Sequence, residues 1–319
     1  LYLLVFIGII IVSSMSLFVA RLSIIKPSKT IKRFSKESFI SINNIFFGAL
    51  IFSVMLGVTY PLIYEFLFDQ KISVGAPFYN AIFIPMIVLA CIFMFFSIDS
   101  KWSRSLNFHF FTAPISLSIL FSIITTWLIS YFFDTSNLAI LISLFAGFII
   151  IYRYVIEIMN SFFLKKYLNP FSAIAHFALG LLIISISFNS LLSSERALNI
   201  KINEFEQYKD LKIYFKDIKV LKKSNHDSIE ATFILEDQKG RIFDLNPEKR
   251  RYFTRGQITT ETAIYIMPLK DIYMTIGDQL DDGSWIANIQ INYLIRWIWF
   301  SAGLMAIAGM VLIFSKKNI

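Results

Sequence analysis

The sequence predicts a polytopic α-helical membrane protein with about seven transmembrane helices and a small β domain inserted before the last one. Three observations support this fold class. The 319-residue chain is 56% hydrophobic, 17% aromatic and only 16% charged, with a mean hydropathy of +0.64, which is too apolar for an ordinary soluble domain. Seven segments are long and apolar enough to cross a bilayer. A polar stretch with β-strand alternation separates the last two segments.

The order of these segments sets the domain organisation. Residues 1–190 form a transmembrane region of about six crossings, 191–288 a β domain, and 289–319 the final helix with a short tail. The chain begins with Leu1 rather than Met, so we expect a truncated or split polypeptide. The predicted crossings are 1–20, 43–64, 80–98, 110–132, 137–158, the segment that starts at Pro170, and 292–314.

Basic residues cluster in alternate connections, which the positive-inside rule makes cytoplasmic. The β segment carries 15 basic and 16 acidic side chains, so the net charge of +8 comes mainly from those connections. This distribution favours contact with anionic membrane lipids and argues against a nucleic-acid partner. It also places the β domain on the opposite, periplasmic face. The clusters are Arg21, Lys26, Lys29, Lys32, Arg33 and Lys36; Lys101 and Arg104; Lys165 and Lys166; Lys316 and Lys317.

The polar segment shows the period-2 alternation of β-strands, interrupted by turn signals rich in Asp, Asn, Gly and Pro. Short strands over about a hundred residues predict a small barrel or sandwich, and we favour an oligonucleotide-binding-like barrel. The clearest strands are 211–221, 229–235, 271–276 and 285–293.

No soluble catalytic constellation is visible, and we predict no catalytic residue. Three histidines and one cysteine are too scattered for zinc-ligand spacing or a Cys–His pair. The sequence also lacks a nucleophile elbow and a glycine-rich phosphate loop. Cys91 is expected to be a small core residue, His226 a solvated turn residue and His109 an interfacial one.

His176 lies about two turns into the apolar segment that starts at Pro170. An ionisable ring is uncommon there and raises a functional-site hypothesis. Three of its four neighbours at helical spacing are small, so either a flat macrocycle or another helix could approach this face. From the residues alone, a ligand role and a buried, hydrogen-bonded histidine both remain open. Those neighbours are Ser172, Ala173, Leu179 and Gly180.

Arg153 and Glu157 are spaced i, i+4 within another apolar segment. Such a pair can neutralise itself inside a helical bundle, which is the structural interpretation. The functional alternative is that Arg153 faces the carboxylate of a ligand.

Several strings, in order and spacing, resemble the C-terminal half of the CcmF family, the membrane haem lyase subunit of cytochrome c maturation. The resemblance covers essentially the whole chain, and KISVGAPFYN and PEKRRY are its most specific strings. The strings are Ser35–Ser38 with Asn43-Asn44, GVTYP at 57–61, KISVGAPFYN at 71–80, Ala175-His176 with Gly180, Ser194-Glu195-Arg196, PEKRRY at 247–252, TETAI at 260–264, Gly277-Asp278, DGSW at 282–285 and RWIW at 296–299.

This resemblance implies a protein of the bacterial cytoplasmic membrane or the mitochondrial inner membrane. Its β domain would face the periplasm or intermembrane space. The family holds haem b between two histidines, and His176 matches the second, so this chain would contribute one axial ligand and no other metal site. The first ligand, the tryptophan-rich haem-handling motif and two periplasmic histidines belong to an N-terminal half that this sequence does not contain. Implied partners are that N-terminal half, a haem chaperone, an apocytochrome-presenting subunit and apocytochrome c.

Five residues of the β segment could support docking of these partners or contact haem propionates, and strand-linking salt bridges are the structural alternative. This chain alone is not expected to be catalytic. The competing function is a structural or docking subunit without haem; a transporter is not supported, because no inverted repeat or paired broken helices are visible. The five residues are Lys249, Arg250, Arg251, Tyr252 and Glu261.

Overall fold

A computed structural model describes residues 2–24, 31–105, 112–164, 169–254 and 256–314. His109 and the basic residues Lys26, Lys29, Lys165, Lys166, Lys316 and Lys317 lie outside these ranges. The described residues form seven α-helices and ten β-strands. The helices are α1 (Tyr2–Arg21), α2 (Lys36–Phe68), α3 (Ala76–Ser97), α4 (Ala113–Phe132), α5 (Leu138–Leu164), α6 (Pro170–Leu192) and α7 (Ile295–Phe314).

Five of these helices, α2 to α6, are long and apolar enough to cross a membrane. The chain is therefore an integral membrane protein with several spanning helices. The predicted count of about seven is too high by this criterion, because the apolar parts of α1 and α7 reach only Val5–Arg21 and Ile295–Val311 within the described residues. Helix α2 begins at Lys36, seven residues before the predicted start, because the Ser35 hydroxyl accepts a hydrogen bond of 3.3 Å from the Ser38 amide and caps it.

The chain divides into two compact units, Leu1–Lys71 with Phe96–Phe108, and Ile72–Phe95 with His109–Ile319. In the first unit, the start of α2 is tied to the segment after α3. The Lys36 amide donates to the Lys101 carbonyl at 3.2 Å, and the Glu37 carboxylate accepts a 2.8 Å hydrogen bond from the Ser103 amide. The first bond satisfies a backbone donor that an isolated helix start would leave without a partner, and the second ties the Glu37 side chain to the segment after α3.

In the second unit, α5 and α6 approach so closely that glycine is required in both. A Cβ atom added to Gly180 would lie 2.9 Å from Ile151 Cγ1 and 3.0 Å from the carbonyl oxygen of Gly147. A Cβ atom added to Gly147 would lie 2.7 Å from Ile184 Cγ1. Small residues let transmembrane helix backbones touch in this way, and van der Waals contact then stabilises the pair. Helix α6 packs against α7 as well as α5, so it is central to the second unit.

The polar segment forms two antiparallel sheets. One has the strand order β1-β10-β9-β8 and the other β2-β3-β4-β6-β7, with β5 pairing with β4. Their inner faces share one apolar core, in which Phe215 and Phe233 stack with ring centroids 4.6 Å apart. The strands are β1 (Ser194–Ile200), β2 (Phe205–Tyr208), β3 (Leu211–Lys222), β4 (His226–Asp237), β5 (Ile242–Leu245), β6 (Glu248–Tyr252), β7 (Ile258–Glu261), β8 (Ala263–Ile266), β9 (Lys270–Gln279) and β10 (Trp285–Tyr293).

This arrangement confirms the inserted β domain and corrects its preferred form. Ten strands in two sheets make a sandwich, whereas an oligonucleotide-binding-like fold is a five-stranded, partly open barrel. The four clearest predicted strands correspond to β3, β4, β9 and β10, which supply most of the core. The short strands between them raise the strand number above that of the expected barrel.

The sandwich is joined to the helices by two neighbouring connections. Helix α6 runs into β1 and β10 runs into α7, while β1 and β10 pair from Ser194↔Ile291 to Ile200↔Trp285. The Asn189 side-chain amide donates to the Tyr293 carbonyl at 2.7 Å, and the Tyr293 amide donates to the Ser193 hydroxyl at 3.0 Å. Hydrogen bonds therefore cross-link the two connections where helices become strands.

We predict that Gly180→Ala destabilises the helical part of the second unit, by about 1–3 kcal/mol, because the added methyl group overlaps α5. Thermal unfolding of the purified protein in detergent measures the change. Gly303→Ala in α7 is the matched control, since nothing lies within 4 Å of its added Cβ. Equal melting temperatures for the two variants would contradict the close helix contact.

Candidate functional site

The first turn of α6 fixes the position of His176 along its helix. The Asn169 side chain accepts hydrogen bonds from the amides of Phe171 at 3.1 Å and Ser172 at 3.3 Å, and Pro170 occupies the first helical position. His176 follows six residues after Pro170, which places it about 9 Å along the helix axis. The imidazole is therefore held near the helix end that lies opposite the β sandwich.

The imidazole of His176 is half-buried and oriented by its own helix. Its Nδ1 atom lies 2.6 Å from the Ser172 carbonyl oxygen and 3.2 Å from the Ser172 hydroxyl. A carbonyl oxygen only accepts hydrogen bonds, so Nδ1 carries the proton in the neutral ring and Nε2 carries the lone pair. Histidines that bind metals show this pattern, in which a hydrogen bond at one nitrogen sets the tautomer for coordination through the other.

Helix α5 supplies the ring that packs on His176. The Tyr154 ring is stacked on the imidazole, with centroids 5.0 Å apart and planes inclined by 12°. Next to Tyr154, the buried Arg153 and Glu157 form an ion pair, and the Arg153 guanidinium lies 5.9 Å from the Phe95 ring centroid. The paired charges compensate each other in an apolar environment, as the structural interpretation of their spacing expected.

An apolar recess of about 520 Å³ lies between α3, α5 and α6. Its wall includes Leu179, Ile183 and Ile186, which continue the stripe of α6 on which His176 lies. The Ser187 hydroxyl on this wall donates to the Ile183 carbonyl, so it is satisfied within the helix. The recess can therefore hold a broad apolar group with little polar recognition. Its lining residues are Tyr79, Asn80, Phe83, Ile84, Ile87, Val88, Ser143, Ala146, Leu179, Leu182, Ile183, Ile186 and Ser187.

The small-residue face beside His176 is partly filled by another helix. At Gly180 the neighbour is Ile151 of α5, and Ala173 is also buried. The sequence left open whether a flat macrocycle or another helix approaches this face. At Gly180 the structure shows another helix, α5, and the apolar recess begins at the neighbouring Leu179. Sequence reasoning missed Tyr154, because its contact with His176 depends on how two helices pack.

The five β-domain candidates do not form a single cluster. Arg250 contacts Glu248 at 2.9 Å and Glu261 at 3.6 Å, which links β6 to β7. Hydrogen bonding to Glu248 and then Tyr252 raises the pKa of Arg250. These contacts fit the strand-linking alternative.

The other two basic candidates differ from Arg250 in their environment. Lys249 forms an ion pair with Asp278 of β9, in the other sheet, whereas the Arg251 residue is exposed. Arg251 is thus the candidate most available to a partner.

His226 is not the solvated turn residue that the sequence suggested. It opens β4, is only 7% exposed and packs beside the Tyr252 ring at a centroid distance of 5.2 Å. Its Nδ1 atom lies 2.7 Å from the Asn225 side-chain oxygen. The prediction was wrong because β4 already begins at His226, directly after the turn. His226 is therefore paired with Tyr252 of β6, and the tyrosine ring covers the imidazole.

Within the described ranges, no group of three or more His, Cys, Asp or Glu side chains comes together as a metal site.

Comparison with known proteins shows that this chain is similar to CcmF proteins. Residues 191–293 match the family model described as the CcmF C-terminal β-sandwich. The chain is 24% identical to the cytochrome c-type biogenesis protein CcmF of Pseudomonas fluorescens over 99% of its own length and 49% of the relative's. It is 26% identical to CcmF of Escherichia coli K12, again over 99% of its length and 49% of the relative's.

The chain is similar to the C-terminal half of CcmF proteins. It spans about half the length of the curated CcmF proteins that it matches. A solved structure titled cytochrome c haem lyase CcmF has the same fold, with a TM-score of 0.69 and 17% identity over 92% of this chain and 47% of that one. The sandwich and the helices that precede it are therefore one architecture shared with CcmF, as the sequence strings indicated.

We predict that Glu248→Gln destabilises the sandwich near neutral pH but has a smaller effect in acid. Hydrogen bonding to Arg250 holds the pKa of the Glu248 carboxyl below its ordinary value. A lowered folded-state pKa adds stability above the unfolded-state value of about 4.3, and this stability is lost as the pH falls through the lower value.

Denaturant midpoints of the full chain, measured between pH 7 and pH 3, follow this effect. Glu236→Gln is the matched control, because that carboxylate is exposed on β4. A difference between wild type and Glu248→Gln that stays constant down to pH 3 would rule out the ion pair as its cause.

Proposed function

We propose that this chain is the C-terminal part of a CcmF-like haem lyase that acts in cytochrome c maturation, with His176 as one axial ligand of a haem b. The observation that carries the proposal is the hydrogen bond from Nδ1 to the Ser172 carbonyl, which leaves the lone pair of the neutral ring on Nε2. Neutral imidazole with this second-nitrogen support is a good iron ligand. Similarity to CcmF over 99% of the chain supports the biological context.

Two contacts of His176 and a recess farther along the same helix support such a group. Tyr154 covers one face of the imidazole and limits its rotation, while Ser172 fixes the tautomer. The recess that starts at Leu179 offers apolar walls along the same helix stripe. Haem b, when bound, supplies a one-electron redox couple, which would keep the iron of the substrate haem reduced during its attachment.

The Arg153–Glu157 ion pair lies in α5, the helix that also carries Tyr154. Both side chains are buried, so their fields are weakly screened. Because they are paired, the two buried charges compensate each other. A neutral ring is required for coordination through Nε2.

The rest of the protein would complete the site. A CcmF-like N-terminal half would bring the second histidine ligand and the surface that handles substrate haem. The basic connections on one face of the predicted topology support a position of the sandwich on the periplasmic or intermembrane-space side. There it would meet the haem chaperone, the apocytochrome-presenting subunit and apocytochrome c, with the exposed Arg251 as a docking candidate.

We expect His176→Ala to abolish a low-spin b-type signal in the reduced-minus-oxidised absorption spectrum of the chain purified with its N-terminal counterpart. The reason is the loss of one of two axial ligands. His226→Ala is the matched control, because that buried histidine lies in the sandwich, on β4. Co-purification of the two halves shows whether assembly persists.

The competing function, a docking subunit without haem, makes a different prediction for this experiment. A signal that survives in His176→Ala, or is absent from the assembled wild type, would favour docking and remove the ligand assignment.

We expect Tyr154→Ala to shift the midpoint potential of the bound haem and broaden its spectrum, because the imidazole loses the ring that restrains it. Tyr154→Phe keeps the stacked ring and should behave as the wild type. Redox titration of the two variants checks this. Identical potentials in both would show that the stack does not orient the ligand.

A further inference from the structure

The turn between β8 and β9 has an unusual composition for an exposed turn. Ile266, Met267, Pro268 and Leu269 follow one another with no polar side chain among them. Ile266 is 53% exposed and Leu269 59% exposed. Turns at a water-facing surface are dominated by Gly, Pro, Asn, Asp and Ser, and consecutive exposed apolar residues are avoided. This segment, which we call the apolar turn, is therefore more apolar than turns at a water-facing surface usually are.

The apolar turn is bonded to the first turn of α7. The Leu294 amide donates to the Leu269 carbonyl at 2.9 Å, and the Trp297 indole nitrogen donates to the Pro268 carbonyl at 3.2 Å. Helix α7 begins at Ile295 and continues as an apolar helix to Phe314. The apolar turn thus lies at the level where this helix starts.

Side chains around the apolar turn are typical of a membrane interface. Trp297 and Trp299 belong to the first turns of α7, and Trp299 is 75% exposed. Tryptophan concentrates at the headgroup level, where its ring is in an apolar layer and its indole nitrogen finds an acceptor. Lys270 and Arg296 flank the turn, and Arg296 lies 3.3 Å from Asp271. Basic residues at this level favour anionic lipid headgroups.

The opposite end of β9 provides an internal comparison. Strand β9 has ten residues, so its ends lie about 30 Å apart. The turn after it contains Leu280 followed by Asp281, Asp282 and Gly283. One hairpin turn of the sandwich is thus apolar and next to the apolar helix α7, whereas the other is acidic and distant from it.

We propose that the apolar turn inserts into the headgroup and upper acyl region of the bilayer and anchors the β sandwich to the membrane surface beside α7. The partner is a lipid surface rather than another protein, because the turn adjoins the start of an apolar helix, flanked by tryptophan and basic residues. Burying Ile266 and Leu269 in lipid removes their exposed side chains from water. This role is independent of haem binding.

Site-directed spin labelling tests the proposal. The full chain is reconstituted into vesicles of phosphatidylcholine and phosphatidylglycerol in a Cys91→Ala background, and a label is placed at Leu269→Cys. The matched control is Leu280→Cys, the same substitution in the turn at the other end of β9. Ile266→Cys is a second membrane-side variant in case Leu269→Cys fails to fold. Collisions with oxygen, which partitions into lipid, are compared with collisions with a water-soluble nickel chelate.

We expect the oxygen-to-nickel collision ratio at position 269 to exceed that at position 280 by about tenfold, because the apolar turn is in lipid and the acidic turn in water. Two results would overturn the proposal. Equal ratios at both positions would place the apolar turn in water. Protection of position 269 from both reagents would mean that a protein surface covers it.

Discussion

The contact between the backbones of α5 and α6 is the constraint on which the second unit depends. Gly147 and Gly180 allow it, because any larger residue at either position would overlap the opposite helix. At this separation Tyr154 reaches His176 and stacks on its ring. Since α6 also packs against α7 and continues into β1, the same contact fixes the base of the sandwich.

Much of the architecture could be predicted because it depends on local patterns. Long apolar runs predicted the helices, and period-2 alternation predicted β3, β4, β9 and β10. The predicted number of crossings was too high, because the apolar parts of α1 and α7 are shorter than a helix that crosses a bilayer usually is. The barrel form was wrong because short strands such as β5 and β8 have only four residues and lack a readable alternation.

The candidate site was predictable only in part, for a physical reason. His176 could be recognised from its chemistry, since an ionisable ring in an apolar helix is itself a signal. Tyr154 could not, because aromatic residues are frequent here and its role arises from the packing of two helices. The sequence did contain one signal for this contact, namely Gly147 and Gly180. If the two glycines had been interpreted as a close-packed pair, the alignment of α5 against α6 could have been predicted. Likewise, the burial of His226 depends on Tyr252 of a neighbouring strand.

The way in which the sandwich joins the helices has a mechanical consequence. Helix α6 enters β1 and β10 enters α7 without a flexible linker. The Asn189 side-chain amide donates to the Tyr293 carbonyl and the Ser193 hydroxyl accepts from the Tyr293 amide, so both connections are stiffened. Such a joint works as a lever arm. With a sandwich about 30 Å tall, a 5° tilt of the helix pair would move its far edge by about 3 Å. A small tilt of α6 would therefore displace the acidic turn at the far end of the sandwich.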